Sequence, residues 1–318
     1  MKVLITGASG FLGSWISRVL TERHEVIGLV RETSQLNRIS DLKNVTIVPL
    51  ESSNWADYIA ESCPDVLILN HWSGVSNLNR NDTAQIENAK AIQRIAEAAV
   101  VAGVKTIIGV GSQAELGQIE STISELEKDN PTTAYGCAKV ETRLAIENLI
   151  RGKQVRFVWM RIFSTYGPLD EGTWLIPNIV DSLLNDREMS LTKAEQQWSY
   201  LHAYDLAVAF RTVIENPSLK GVINVGNPQT ISVREVASII GEILNKKELL
   251  LFGALDYRPD QVMRLEPLCE TLTSAGWSPQ ISFDEGIRHT TDWLQKKPTK
   301  PLKTLAGKIL DFKLPSRL

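Results

Sequence analysis

The chain is poor in the residues that disulfide, metal and membrane chemistry depend on. Its 318 residues include only three cysteines, Cys63, Cys137 and Cys269, an odd and widely spaced set that builds neither a disulfide framework nor a zinc pattern. The four histidines, His24, His71, His202 and His289, also lack metal-ligand spacing, so no metal is expected. No charge-free run reaches the about 18 residues of a membrane-spanning helix, and no membrane partner is expected. Excess positive charge is missing too: 34 Lys and Arg stand against 37 Asp and Glu, a formal net charge of -3. That removes the footprint of a nucleic-acid binder, yet leaves room for a local basic pocket that takes a phosphorylated small molecule. Gly7, Gly10 and Gly13 interrupt the apolar start and no small-residue cleavage site follows, which argues against a secretory leader and for a cytoplasmic protein. Hydrophobic residues at 43% and charged residues at 22% suit a globular chain rather than a disordered one.

Short apolar runs alternate with helical periodicity through the first half. Strands are expected at 2–6, 25–30, 45–48, 66–69, 106–110 and 154–160, and helices at 11–20, 84–102 and 132–149, the last opened by Pro131. Continuously apolar strands separated by helices imply a parallel sheet covered on both faces, hence a doubly wound α/β (Rossmann) fold. After Arg161 the texture changes, with Pro and Gly at Gly167, Pro168, Gly172 and Pro177. We read residues 1–165 as a dinucleotide-binding domain and 166–295 as a smaller C-terminal substrate lobe with segments returning to the first domain. Residues 296–318 read as a basic tail. Within the lobe, helices are expected at 203–215 and 233–244 around a strand at 222–225, with Asp205 as the cap of the earlier helix.

Thr6-Gly7-Ala8-Ser9-Gly10-Phe11-Leu12-Gly13 joins the first strand to the first helix. Glycines at this spacing make a tight turn and let the backbone approach a pyrophosphate, which the free N–H groups of the helix N-terminus receive. Gly7, Ser9, Gly10, Phe11, Leu12 and Gly13 are therefore the candidate cofactor loop. Arg31 ends the second strand, where a carboxylate would bind a ribose 2′-hydroxyl; a guanidinium suits a 2′-phosphate instead. This favours NADP(H) and leaves NAD open.

Tyr135 and Lys139 stand one helical turn apart on one face. A phenol ionises near pH ~10, too high for ready proton exchange at neutral pH, and a fixed cation beside it is expected to lower that value. Such a phenol can pass a proton to a substrate oxygen while hydride moves at the adjacent carbon. Ser112 follows the fifth strand, where sites of this fold gather, and its hydroxyl can polarise the same carbonyl.

T-G-x-x-G-x-x-G, a serine after the fifth strand and Tyr-x-x-x-Lys together resemble the extended short-chain dehydrogenase/reductases, and more narrowly their nucleotide-sugar epimerase/dehydratase/reductase branch. Residues 161–168, residues 198–202 with Asp205, Asn224-Val225-Gly226 and Gly276-Trp277-Ser278-Pro279 extend the resemblance to about residue 295. It implies that Tyr135 is the acid/base, that Lys139 binds the nicotinamide ribose and tunes Tyr135, and that Ser112 positions the carbonyl. It also implies a lobe cleft for a nucleoside-diphosphate sugar and a homodimer through the helices at 84–102 and 132–149.

Departures narrow the reaction. Family dehydratases carry an Asp-Glu pair directly after the serine, and this chain has Gln113-Ala114; Glu115 is one place late, although a register shift would bring it in. Epimerase-reductases of the 3,5 type carry a cysteine at the position of Ala114. Hydride exchange at one carbon remains. Ser164, where many epimerases have Asn, resembles the 4-keto-6-deoxyhexose reductases, and Arg31 points the same way. The preferred reading is an NADPH-dependent reductase of the C4 ketone of a nucleoside-diphosphate 4-keto-6-deoxyhexose. The alternatives are a nucleotide-sugar 4-epimerase with tightly bound NAD and a non-catalytic NADP-binding regulatory protein. Arg258 matches the family's late Arg-Pro motif and is the candidate diphosphate fork, with Ser164, Asn178 and Arg187 as further substrate candidates. Trp72 stands where the family commonly has a small residue, and is expected either to crowd the cofactor or to stack near the substrate. His71 reads as a strand-end hydrogen-bonding residue.

Overall fold

The computed structural model describes residues 1–50, 55–76, 78–172, 174–258 and 261–296. In chain order its elements are β1 (Lys2–Thr6), α1 (Phe11–Leu20), β2 (Glu25–Val30), β3 (Val45–Pro49), α2 (Trp55–Ser62), β4 (Val66–Leu69), α3 (Ala84–Val101), β5 (Thr106–Ser112), α4 (Ala134–Leu149) and β6 (Arg156–Ile162). Then come β7 (Ser164–Tyr166), α5 (Leu175–Leu184), β8 (Met189–Leu191), β9 (Gln197–His202), α6 (Ala203–Glu215), β10 (Gly221–Val225), β11 (Thr230–Ser232), α7 (Val233–Leu244), β12 (Leu250–Phe252), β13 (Arg264–Leu265), α8 (Glu270–Ser274) and α9 (Phe283–Gln295).

Seven strands form a parallel sheet in the order β10-β6-β5-β4-β1-β2-β3. The apolar runs of β1 and β4 are shielded on both faces, which is why they alternate with nothing polar. One face is covered by α1 and α6, with Trp15, Ile16, Phe210 and Val213 in that layer. The other is covered by α3 and α4, with Ile92, Ile95, Ile146 and Trp159. The strand order reverses between β1 and β4, so a crevice opens beyond their carboxyl ends.

The expected boundary after residue 165 falls inside β7, just beyond the end of β6 at Ile162, and α6 and β10 afterwards rejoin the first layer. The lobe is built on a small sheet in the order β11-β9-β13, with β7 also on β9, and on a core of Ile179, Val180, Leu183, Val236, Ile240 and Ile287 from α5, α7 and α9. Apart from Lys296, the expected tail lies outside the described residues, as does Pro259 of the Arg-Pro motif.

Three local expectations are corrected. The sixth strand runs Arg156–Ile162 rather than 154–160, because the charge that marks its apparent end, Arg161, is neutralised inside the sheet. Helix α4 starts at Ala134, since the Thr133 hydroxyl accepts the Gly136 N–H at 3.1 Å and caps it. Asp205 is not a cap: His202 Nδ1 accepts the Tyr204 N–H, while the Asp205 carboxylate accepts the N–H groups of Gln280 and Ile281 at 2.9 and 3.1 Å and ties α6 to the chain before α9. Among the described residues no helix is long and apolar enough to cross a membrane, and no group of three or more His, Cys, Asp or Glu is placed to hold a metal ion.

Candidate active site

The glycine loop lies in the crevice. Gly7 has φ +67, a left-handed conformation that suits glycine, and a Cβ at Gly13 would sit 2.1 Å from the Gly7 carbonyl oxygen. The first turn of α1 therefore folds directly onto the loop. Gly10 is the N-cap and brings no side-chain cap, which leaves first-turn N–H groups, around Phe11 and Leu12, for an outside acceptor. Ser9 is buried in the same turn. The Thr6 hydroxyl accepts the N–H groups of Asn70 and His71, both at 2.9 Å, and binds the loop to the end of β4. This cradle fits a dinucleotide pyrophosphate. Arg31 is exposed at the end of β2, with no ion pair among the described residues.

Ser112 ends β5 and Tyr135 lies in the first turn of α4, close enough that the Ser112 hydroxyl acts on the phenol. The Ser112 hydroxyl also lies 2.8 Å from Gln113 Oε1 and 3.2 Å from the Ala114 N–H. A serine has one proton to donate. Here it goes to Gln113 Oε1, and the hydroxyl oxygen accepts the Ala114 N–H. Tyr135 is 8% exposed, and burial pushes its pKa above the ordinary value, against the pull of Ser112 and of Arg80.

Lys139 departs from expectation. It is buried, its Nζ donates to the Val110 carbonyl at 2.8 Å, and it lies 3.8 Å from the centre of the Trp72 ring. Burial lowers its pKa to about 7, and its Nζ lies 5.7 Å from the centre of the Tyr135 ring. An ammonium with that pKa is half neutral at pH ~7, so it is a weak source of fixed positive charge there. Trp72 is a fixed wall of the site rather than a loose obstruction: its Nε1 donates to Gln85 Oε1 at 2.7 Å, and its ring meets Tyr135 edge-on at 5.9 Å.

Glu115 is turned out of the crevice. Its carboxylate is fully buried, accepting the Ser112 N–H at 2.7 Å, the Trp159 Nε1–H at 3.0 Å and the Arg161 Nε–H at 3.2 Å. Burial pushes its pKa upward while Arg161 and these donors pull it back. The register shift that would make it a dehydratase acid is thereby closed. Space for Trp159 comes from Gly109 and Gly111, where a Cβ would meet the indole at 2.2 and 2.3 Å.

The remaining candidates are scattered over the lobe. Ser164 is half-buried on β7, and Asn178 is exposed on α5. Arg187 is exposed and paired with Asp181, and no contact among the described residues joins it to the Ser112–Tyr135 pair. Burial lowers the pKa of Arg80, and Arg258, exposed in the segment after β12, adds to that effect. The Trp198 indole N–H donates to the Val262 carbonyl and is part of the lobe's framework. The sequence reading missed Arg80. It sits in a polar stretch without a motif, and only the fold brings it to Tyr135.

A glycine loop at the switch point that fits a pyrophosphate, with Ser112, Tyr135 and Lys139 at the ends of neighbouring elements, lies in a doubly wound α/β fold. The model of the NAD dependent epimerase/dehydratase family matches residues 3–226, and the chain belongs to that family of enzymes. It is 24% identical over 317 residues to the dTDP-D-glucose 4,6-dehydratase of Mus musculus, an alignment that covers 93% of this chain and 89% of the relative. It is 21% identical over 297 residues to the CDP-abequose synthase of Salmonella muenchen, covering 90% of this chain and 96% of the relative. The structure of the Thermus thermophilus UDP-glucose 4-epimerase in complex with NAD is similar with a TM-score of 0.82 at 21% identity, covering 94% of this chain and 100% of that one.

Proposed function

We propose that the protein reduces the C4 ketone of a nucleoside-diphosphate 4-keto-6-deoxyhexose with NADPH. The observation that carries this reading is Ser112 beside Tyr135 with Gln113-Ala114 following it, while Glu115 is fully buried against Trp159 and Arg161. The site has a relay for one proton and lacks the adjacent carboxylates that eliminating a C6 hydroxyl would need. Bound in the glycine cradle, the dinucleotide would supply the hydride. Ser112 would hold the carbonyl oxygen while Tyr135 gives it a proton as hydride reaches the carbon, so ketone, hydride and proton together make the alcohol. Lys139 would face the nicotinamide ribose with the ammonium donors that Val110 does not use. Arg31 favours the 2′-phosphate of NADP. Arg258 is the proposed diphosphate fork, with Ser164 beside the sugar, Asn178 and Arg187 as outer contacts, and α3 and α4 as the homodimer face.

The second reading, 4-epimerisation with retained NAD, is favoured by the likeness to the Thermus epimerase that was solved with NAD. The test is direct. The purified protein is given NADPH and a 4-keto-6-deoxy sugar nucleotide generated by a dehydratase, and loss of reduced cofactor is followed. Turnover that disappears in Tyr135→Phe supports the reductase. Stoichiometric NAD on the purified protein, with interconversion of 4-hydroxyl epimers and no ketone reduction, establishes the epimerase instead. A function that survives Tyr135→Phe identifies a regulatory protein.

A further inference from the structure

Besides the phenol, two groups reach the Ser112 hydroxyl, and they differ in freedom. The Ala114 N–H, 3.2 Å away, is fixed, because it belongs to a turn that the Glu115 carboxylate closes by accepting the Ser112 N–H at 2.7 Å. Glu115 is fully buried and Ser112 nearly so. The other group is the Gln113 amide, whose Oε1 takes the Ser112 proton at 2.8 Å. Gln113 is only half-buried, and its Nε2 has no partner among the described residues. The last bond of its side chain joins a tetrahedral to a planar carbon. Such bonds have broad, two-fold preferences, so a half turn exchanges the amide oxygen and nitrogen without moving the main chain. While Oε1 faces Ser112, the hydroxyl has no proton for a ketone, which brings only lone pairs. After the half turn Nε2 donates to Ser112 Oγ instead. The oxygen then accepts from Ala114 and from Gln113, both of its lone pairs are used, and its proton is left for a third group in the crevice.

We propose that Gln113 is a positioning residue for the reaction: by turning Nε2 instead of Oε1 toward Ser112, its amide sets the direction of the Ser112 proton and commits it to the carbonyl oxygen of the substrate. This rests on the reading of Ser112 and Tyr135 as the pair that meets that oxygen. The bond from Ser112 is held and not transferred. Tyr135 supplies the proton that stays on the oxygen, and the dinucleotide supplies the hydride. The arriving ketone favours the turned form, because Ser112 then has a donor at each lone pair and an acceptor for its proton. The same holds for the ketone stage of an epimerisation. An ionised carboxylate at position 113 can only accept, so it would keep the Ser112 proton for itself; an amide of the same length can do either. In the sequence Gln113 is marked only by the acid it replaces, and its hydrogen bond to Ser112 is what gives it a part in the site.

The test is a cycle of the parent, Gln113→Glu, Ser112→Ala and the double variant. It is followed in whichever hydride reaction the parent carries out, ketone reduction with NADPH or interconversion of 4-hydroxyl epimers. Ser112→Ala should lower kcat about 10²–10³-fold, the effect of removing one donor to a developing oxyanion. At pH ~8 Gln113→Glu should lose nearly as much, in kcat more than in KM. On top of Ser112→Ala it should cost less than about twofold, because a residue that acts through Ser112 has nothing left to act on. As the pH falls toward the carboxyl's pKa, the rate of Gln113→Glu relative to the parent should rise by up to about tenfold per pH unit, since the protonated acid can donate to Ser112 as the amide does. Gln113→Met, which has no donor, should lose less than about tenfold alone and nothing further beside Ser112→Ala, and it carries the cycle if Gln113→Glu does not fold. The proposal is overturned if Gln113→Glu keeps the parent's turnover at alkaline pH, if its loss multiplies with that of Ser112→Ala, as direct repulsion of the phenol would make it, or if the rate does not recover in acid. A parent that turns over neither ketone nor alcohol defeats the functional reading and takes the inference with it. A parent that turns over while the cycle shows none of this coupling defeats the inference alone.

Discussion

Removing the Glu115 carboxylate tests whether the site stands on a buried charge pair. Glu115 is fully enclosed, and the Arg161 side chain is 1% exposed. The next acid near Arg161 is Asp129, whose Oδ1 is 3.4 Å from Nη2 and which is already paired with Arg143. In Glu115→Ala the guanidinium keeps only this long contact. Breaking a buried pair by deleting one partner costs about 3–5 kcal/mol, and Trp159 and Ser112 each lose an acceptor besides. These losses share one cavity and do not add, so we take about 4 kcal/mol. At about 2–4 °C per kcal/mol, the melting temperature should fall by about 8–16 °C. Glu115→Gln keeps an oxygen for Ser112 and Trp159 while giving up the charge, and should fall about half as far. The double variant Glu115→Leu/Arg161→Leu should lose less than Glu115→Ala, because no lone charge stays buried. Scanning calorimetry of the three variants decides the matter. A Glu115→Ala melting temperature within about 2 °C of the parent would refute the argument, since a perturbation below ~1 kcal/mol is too small for an orphaned interior guanidinium.

Four further perturbations follow from the same geometry. Gly13→Ala places a Cβ 2.1 Å from the Gly7 carbonyl and 2.9 Å from Asn70 Nδ2, so it should destabilise by about 1–3 kcal/mol and abolish dinucleotide binding measured by calorimetric titration. Lys139 has a folded pKa of about 7 against about 10.4 in the unfolded chain, so between those values the unfolded chain holds more protons and stability rises with pH. Replacing it by Met should therefore raise the melting temperature more at pH ~6, where the buried ammonium is charged in both states, than at pH ~9, where the folded form is already neutral. Trp72→Leu removes the ring beneath Lys139 and should cost about 2 kcal/mol in a chemical denaturation curve, and Trp72→Phe should recover the ring contact but not the Gln85 hydrogen bond. Arg31→Glu should reverse the preference between NADPH and NADH in binding titrations, because a carboxylate repels the 2′-phosphate and accepts from a ribose hydroxyl.

Much of the sheet was legible because its strands are buried on both faces and so read as unbroken apolar runs, β1 and β4 most plainly. Legibility failed where a polar group is paired out of sight. Arg161 looks like the end of a strand and is instead inside β6, satisfied by Glu115 in the turn just after the neighbouring strand β5. Asp205 looks like a cap and is instead a tether for two N–H groups about seventy-five residues on. Gly109 and Gly111 look like weak strand residues, but side chains two apart share a face, and both glycines clear that face for Trp159 on the adjoining strand. The lobe was the least readable part. Its strands β7, β8, β11, β12 and β13 are two or three residues long, too short for any period to declare itself.

The site shows the same division between what spacing fixes and what packing decides. Helical spacing is enough to put Tyr135 and Lys139 on one face, and a serine at the end of β5 is enough to bring a hydroxyl to the phenol. Spacing cannot say which cation is charged when the phenol ionises. That depends on desolvation, and here desolvation acts unequally. Lys139 is enclosed between the Val110 carbonyl and the Trp72 ring and drops to about 7. Arg80 is half-buried at the cleft and belongs to a side chain whose ordinary pKa is too high for burial of this degree to neutralise it. Trp72 is the residue that divides the roles. Where a small residue would leave the ammonium open to water and to a sugar ring, the indole closes one side of it and holds it in place. A lysine so enclosed is a hydrogen-bond donor held in a fixed position, and Arg80, on the loop before α3, brings a second cation within 5.7 Å of the Tyr135 ring centre.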